Sequence, residues 1–253
     1  MKKISTLILL AFMLDLSSAF LIAPEKAEAA TAPRFQTAST NTANGPATIT
    51  CTKPSGTVEN DLLLAFVTGY QSDTLTISPP GDWSTFRGPD RNTGSEKMVA
   101  YVFYRIAGPS EGADYTFTYS AGGYNECGIL RYSGVDTSDP LDSASSAANG
   151  NSGTRTGSSI TTTRSNETLV LHSAGYNGSP TTVPAGMVER AAWDGAMAVY
   201  DETRATAGAT GDRSHDQSVV SAWVMQMVAI KSNTGRIIRL KGGVRLLGGV
   251  RLR

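Results

Sequence analysis

Residues 97–106 read Lys-Met-Val-Ala-Tyr-Val-Phe-Tyr-Arg-Ile. In an extended chain Val99, Tyr101, Phe103 and Arg105 fall on one side, and Met98, Ala100, Val102, Tyr104 and Ile106 on the other. Successive side chains of a β-strand point to opposite faces, so this segment is a strand with two apolar faces, as in the middle of a sandwich. Eight further segments alternate in the same way or run as short apolar stretches: 47–52, 61–68, 74–78, 115–119, 126–132, 168–173, 197–203 and 219–230. Pro79-Pro80-Gly81, Gly88-Pro89-Asp90, Ala121-Gly122-Gly123 and Asp139-Pro140 separate them as turn signals. Glycine at 26 positions and a charged fraction of only 17% fit many short strands joined by turns rather than long helices. The pattern predicts an all-β, jelly-roll-like sandwich.

The chain also echoes itself. Asn60-Asp61-Leu62-Leu63-Leu64-Ala65-Phe66-Val67-Thr68-Gly69-Tyr70 aligns with Asn166-Glu167-Thr168-Leu169-Val170-Leu171-His172-Ser173-Ala174-Gly175-Tyr176 at an offset of 106. A Pro-x-Gly turn follows each, as Pro79-Pro80-Gly81 and Pro184-Ala185-Gly186. Met98-Val99-Ala100-Tyr101 then answers Met197-Ala198-Val199-Tyr200. Two diverged copies of one strand pattern are expected, over about residues 47–135 and 155–231. Interleaved copies would build one sandwich and independent copies two small domains in tandem. The Ser/Gly/Asn/Thr-rich stretch 143–163 reads either as the linker between them or as an edge strand.

Lys2 and Lys3, an apolar run over 4–22 and Ala27-Glu28-Ala29 form an export signal with an A-x-A cleavage site, leaving residues 30–231 as the body. A retained membrane anchor is the competing reading, but Asp15 sits inside the run, where a carboxylate costs roughly 3 kcal/mol to insert. With no later stretch apolar enough to span a bilayer, the expectation is a secreted or cell-surface protein without a membrane span after cleavage. Two cysteines, Cys51 and Cys127, fall on predicted strands of an exported chain. They read as a disulfide or as two buried thiols; as a disulfide their loop would stabilise by roughly 4 kcal/mol. Residues 232–253 carry six basic groups and no acid, which leaves the body near −6 and argues against nucleic-acid binding by it.

The segments Asp61-Leu62-Leu63-Leu64-Ala65-Phe66-Val67, Pro79-Pro80-Gly81-Asp82-Trp83, Val99-Ala100-Tyr101-Val102-Phe103-Tyr104-Arg105 and Tyr115-Thr116-Phe117-Thr118-Tyr119-Ser120 are followed by Arg131-Tyr132-Ser133-Gly134-Val135-Asp136. This succession resembles a group of bacterial secreted and phage-associated β-sandwich modules, over about residues 47–231. The resemblance implies a lectin-type or jelly-roll sandwich that accompanies adhesion or carbohydrate contact. It has no catalytic signature and carries no binding residue across.

Aromatic rings suit sugars, because a flat ring covers the apolar face of a pyranose while polar neighbours take the hydroxyls. Tyr70, Tyr124 and Tyr176, each directly after a glycine, and Trp193, beside Asp194 and Gly195, are the candidate ligand-binding residues; Trp83 and Trp223 read as core. Asp136, Asp139 and Asp142 in a Pro140-containing turn are candidate Ca²⁺ ligands, or an Asp-rich turn capping its own amides. No other cofactor is expected. His172 reads as a strand residue and His215 as one in a solvated polar loop, with no serine elbow or zinc helix near either. Paired carboxylates could hydrolyse a glycoside, with Glu96, Glu126, Glu167, Glu189 and Glu202 on or near strands; Glu126 is otherwise a solvent-facing strand residue. The tail repeats Gly-Gly-Val-Arg-Leu at 242–246 and 248–252, which reads as a basic extension, a strand that adds to another subunit's sheet, or a frayed end. The expected function is non-catalytic binding of a glycan or cell-surface polymer. The alternatives are a structural subunit that self-associates through the tail, as in a phage fibre, decoration or matrix protein, and a jelly-roll glycan-cleaving enzyme.

Overall fold

The computed structural model describes residues 30–233 and the backbone of two short paired strands, Ile238–Arg239 and Arg245–Leu246. The expected leader over 1–29 and the rest of the basic tail lie outside the described residues. Among the described residues every helix or strand element is a strand, and no helix is long and apolar enough to cross a membrane.

The first half contains β1 (Arg34–Asn44), β2 (Thr48–Thr52), β3 (Leu62–Tyr70), β4 (Ile77–Ser78), β5 (Ser84–Asn92), β6 (Met98–Ile106), β7 (Asp114–Tyr119) and β8 (Tyr124–Ser133). A five-stranded sheet has the order β1-β8-β3-β6-β5 and a three-stranded sheet the order β2-β7-β4, with every pair antiparallel. First strand pairs with last, second with seventh and third with sixth, the nested connectivity of a jelly roll. The second half contains β9 (Leu141–Gly157), β10 (Thr161–Thr162), β11 (Glu167–Gly175), β12 (Val188–Trp193), β13 (Met197–Arg204), β14 (Gly208–Ala209) and β15 (Arg213–Ile230). Its five-stranded sheet, β9-β15-β11-β13-β12, repeats the order of the first: opening strand at one edge, closing strand beside it.

The second half makes its two layers with fewer breaks. The β9–β15 hairpin pairs with register shifts between Asp216 and Ser221 and between Val228 and Ile230. The stretch from Arg213 to Asp216 turns over the outer face of the sheet, where His215 packs on Tyr200 with ring centroids 5.5 Å apart. In the first half the same course is cut by turns between β1 and β2 and between β7 and β8.

Three apolar clusters follow from the alternation. Leu62, Leu64, Phe66, Ala100 and Val102 meet Val170, Val199, Val224 and Val228 between the two five-stranded sheets. Leu63, Val67, Val99, Phe103 and Ile129 face the three-stranded sheet through Ile49, Phe117 and Tyr119. Leu169, Leu171, Tyr200, Met225 and Met227 form the outer core of the second half with Ile160 and Met187. The two faces read from residues 97–106 thus enter two different cores, and all nine residues of β3 and of β11 are buried.

The stretch 143–163 is the edge strand β9 with the start of its return, not a linker. Gly88-Pro89-Asp90, expected as a turn, runs inside β5, at a sheet edge where a missing N–H is tolerated. Cys51 on β2 and Cys127 on β8 form a disulfide, Cα atoms 6.5 Å apart, that ties the three-stranded sheet to the five-stranded one. Replacing both cysteines with alanine should lower the free energy of unfolding by about 4 kcal/mol, measured by urea titration of the oxidised wild type and the variant. An unchanged midpoint would show that the staple does not stabilise the first half.

Candidate functional site

Antiparallel pairing brings strand ends from both halves together at one end of the molecule. In the first half Asn44 closes β1 opposite Tyr124, which opens β8, and Tyr70 closes β3 one position beyond the Gly69–Asn125 pair. In the second half Tyr176 and Asn177 leave β11, and the β12–β13 turn carries Asp194 and Gly195 in the left-handed region at φ 52° and 69°. The Gly175 amide donates to the Ala196 carbonyl and the Tyr176 amide to Ala222, which fixes this exit against its neighbours.

Between these ends lies a cleft of about 290 Å³. Buried Tyr70 is its floor; half-buried Tyr124 and Tyr176 stand on either side, each ring centroid 5.7 Å from that of Tyr70. Asn44, Gln71, Asn177 and Asp194 complete the lining and are exposed. Tyr124 of the first half donates its hydroxyl hydrogen bond to Asp194 of the second, bridging the two. Three of the four aromatic candidates are therefore brought together. The fourth, Trp193, is buried: its indole lies against Gly128, where a Cβ would meet the ring at 2.5 Å, and it stacks on His172. The Trp-Asp-Gly turn was a useful signal, but the lining residue it supplies is Asp194.

Beneath the floor, the Tyr70 hydroxyl bonds the Glu126 carboxyl and lies 3.0 Å from the Gly175 carbonyl. Glu126, expected on a solvent face, is wholly buried because its face of β8 looks toward the second half. Burial, and after it the charge of Asp194, pushes its carboxyl up to about 8 against an opposing hydrogen bond from Tyr70. At neutral pH the protonated acid can donate to the phenol, leaving the phenol to donate to Gly175 across the two halves.

Arg155, on the turned-over part of β9, is the largest of the fully buried side chains, and among the described residues it pairs with no carboxylate. Its guanidinium donates to Gln217 at 2.9 Å, Ser173 at 3.0 Å, the Ala196 carbonyl at 2.9 Å and the Gly178 carbonyl. Burial lowers its pKa to about 10, still well above neutrality. The last two acceptors belong to the segments that carry Asp194 and Asn177, so one cation anchors both cleft loops. Gly175 must lack a Cβ, which would come within 1.8 Å of this guanidinium.

His215, expected in a solvated loop, is buried on β15; Ser173 lies 2.8 Å from its Nε2 and the Asp216 carbonyl 3.0 Å from its Nδ1. His172 is buried between the sheets with Gln226 3.0 Å from its Nδ1, and burial drops its pKa to about 4. Asp136, Asp139 and Asp142 do not converge on a cation. Asp136 takes the Ser138 amide and Arg164, Asp139 pairs with Lys231, and buried Asp142 accepts from the Ala144 and Thr163 amides. Burial alone would raise Asp142, but these hydrogen bonds hold it at about 2. Among the described residues no group of three or more His, Cys, Asp or Glu is arranged to hold a metal ion. The remaining candidate acids lie outside the cleft. Glu96 accepts from the Ala222 amide, Glu202 pairs with Arg213, Glu189 is exposed on β12, and Glu167 is buried beside Asp142 with its carboxyl pushed up to about 8 by burial and that neighbour.

In comparisons with protein-family models, curated proteins and solved structures, nothing matches this chain.

Two outcomes follow from the buried charges. Glu126 moves from 4.5 unfolded to about 8 folded, so across that interval the unfolded chain releases a proton that the folded one keeps, and stability falls as pH rises. His172 moves from 6.5 to about 4, so stability also falls as pH drops through that interval. Urea unfolding should therefore be easier on both sides of a maximum in the mildly acidic range, and Glu126→Gln should reduce the loss on the alkaline side. Arg155→Met removes four hydrogen bonds from a buried cation, the Gly178 carbonyl losing its donor altogether, and should cost about 3 kcal/mol or more, with faster amide exchange around Gly178 and Ala196.

Proposed function

We propose that this protein is a secreted, non-catalytic binding module of the adhesion type whose end cleft takes a glycan. The observation that carries the reading is the lining itself: three tyrosine rings from both halves, bordered by two asparagines, a glutamine and one carboxylate. Rings of this kind cover the C–H face of a pyranose, and short amide side chains donate to and accept from its hydroxyls. Glu126, the acid best suited to hydrolysis by its raised pKa, sits buried under Tyr70 rather than at the cleft surface, which favours holding a sugar over cutting it. The export signal in the sequence and the Cys51–Cys127 disulfide both support an oxidising, extracytoplasmic setting. The shared strand order of the two five-stranded sheets, with Tyr70 and Tyr176 at matched positions, supports two diverged copies that together build one site.

A glycan array probed with the purified protein tests the reading. Tyr124→Ala and Tyr176→Ala should each weaken binding about tenfold or more, with small changes in thermal midpoint because both rings are half-exposed. Tyr70→Ala is uninformative here, since it opens the core. Absence of binding by the wild type, or binding indifferent to both substitutions, would sink the proposal.

A further inference from the structure

The cleft has a sign as well as a shape. Among the described residues the only formal charge on its lining is the Asp194 carboxylate, and no lysine, arginine or histidine contributes to the walls. Asp194 is exposed and accepts from Tyr124 through Oδ2, and its carboxylate also lies close enough to the buried Glu126 carboxyl to raise it. The faces of the three tyrosine rings carry the negative lobe of the aromatic quadrupole, and the rings are inclined to one another rather than stacked, at 59° and 72° to Tyr70. The buried cation Arg155 is committed to Gln217, Ser173, Ala196 and Gly178 and is not part of the lining. A carboxylated or sulfated sugar would meet a carboxylate with no counter-ion among the described lining residues. A protonated amine would meet that carboxylate and the ring faces together.

Resting on the glycan reading above, we propose that the cleft selects sugars bearing a free, protonated amine: a hexosamine unit without its acetyl group, held by stacking on Tyr124 and Tyr176 with its ammonium against Asp194. Neutral sugars share the stacking and the amide contacts but lack the ion pair and the cation–π attraction. Acetylation removes the charge and replaces it with a bulky neutral amide.

Oligomers of glucosamine, N-acetylglucosamine and glucose, with one common linkage and different groups only at the second carbon, are matched probes. Titrated by calorimetry into the purified protein at low salt and a pH of about 6, where the amine is charged, the glucosamine oligomer should bind about tenfold tighter than the other two. The preference should shrink as salt is added. In Asp194→Asn the ratio between the amine and hydroxyl oligomers should fall severalfold, to the part that the ring faces alone supply, and an unchanged ratio would overturn the role of Asp194. Asparagine keeps an acceptor for Tyr124 and adopts the left-handed conformation readily, so the turn is retained. Equal or tighter binding of the acetylated or plain oligomer would overturn the amine preference and leave the glycan reading standing. Binding of none of the three would overturn the preference as well, and the glycan array with the Tyr124 and Tyr176 variants then decides separately whether the glycan reading falls with it.

Discussion

Burial of the two five-stranded sheets on both faces governs the rest of the molecule. β3 and β11 have no exposed residue, and β6, β8, β13 and β15 are apolar or polar-and-paired on both sides along most of their length. Such a sheet needs a cover on each side. The inner covers are the sheets themselves, packed against one another; the outer ones are the three-stranded sheet in the first half and the turned-over hairpin in the second. With the faces occupied, strand ends are where backbone direction changes and side chains reach solvent without breaking a core. The cleft lies at one such end.

This also explains what could be read from residues alone. β3, β6, β8, β11, β13 and β15 announce themselves because their alternation is apolar in both registers. β1, β5, β9 and β12 do not: they are edge strands, rich in Thr, Ser, Asn, Gly and Arg, stabilised by backbone pairing to one neighbour rather than by side-chain pattern. Tyr70, Tyr124 and Tyr176 stood out because each follows a glycine where a strand begins or ends. Asn44, Gln71, Asn177 and Asp194 join them through pairings between segments far apart in the chain, which no local pattern encodes. Arg155, His215 and Glu126 look like surface residues in sequence; the bend in the β9–β15 hairpin and the packing of one half on the other bury them.

The surface between the halves is not purely apolar. Gln226 donates to Asp90 at 2.7 Å and meets His172 through its carbonyl oxygen, the Tyr132 hydroxyl lies 3.2 Å from Asp201, and Asn92 donates to the Gly150 carbonyl at 2.7 Å. Apolar sheets can slide over one another at small energetic cost, whereas each of these groups is satisfied in one alignment only and is expensive to leave unpaired. They set the register of half against half, and the spacing of the tyrosine rings depends on that register.

The Tyr124–Asp194 bridge has a mechanical consequence. Because the walls of the cleft are divided between the halves, any molecule held there grips both, and its binding free energy is added to whatever keeps them docked. A pull that separates the sheets would strip the occupant before either half unravels.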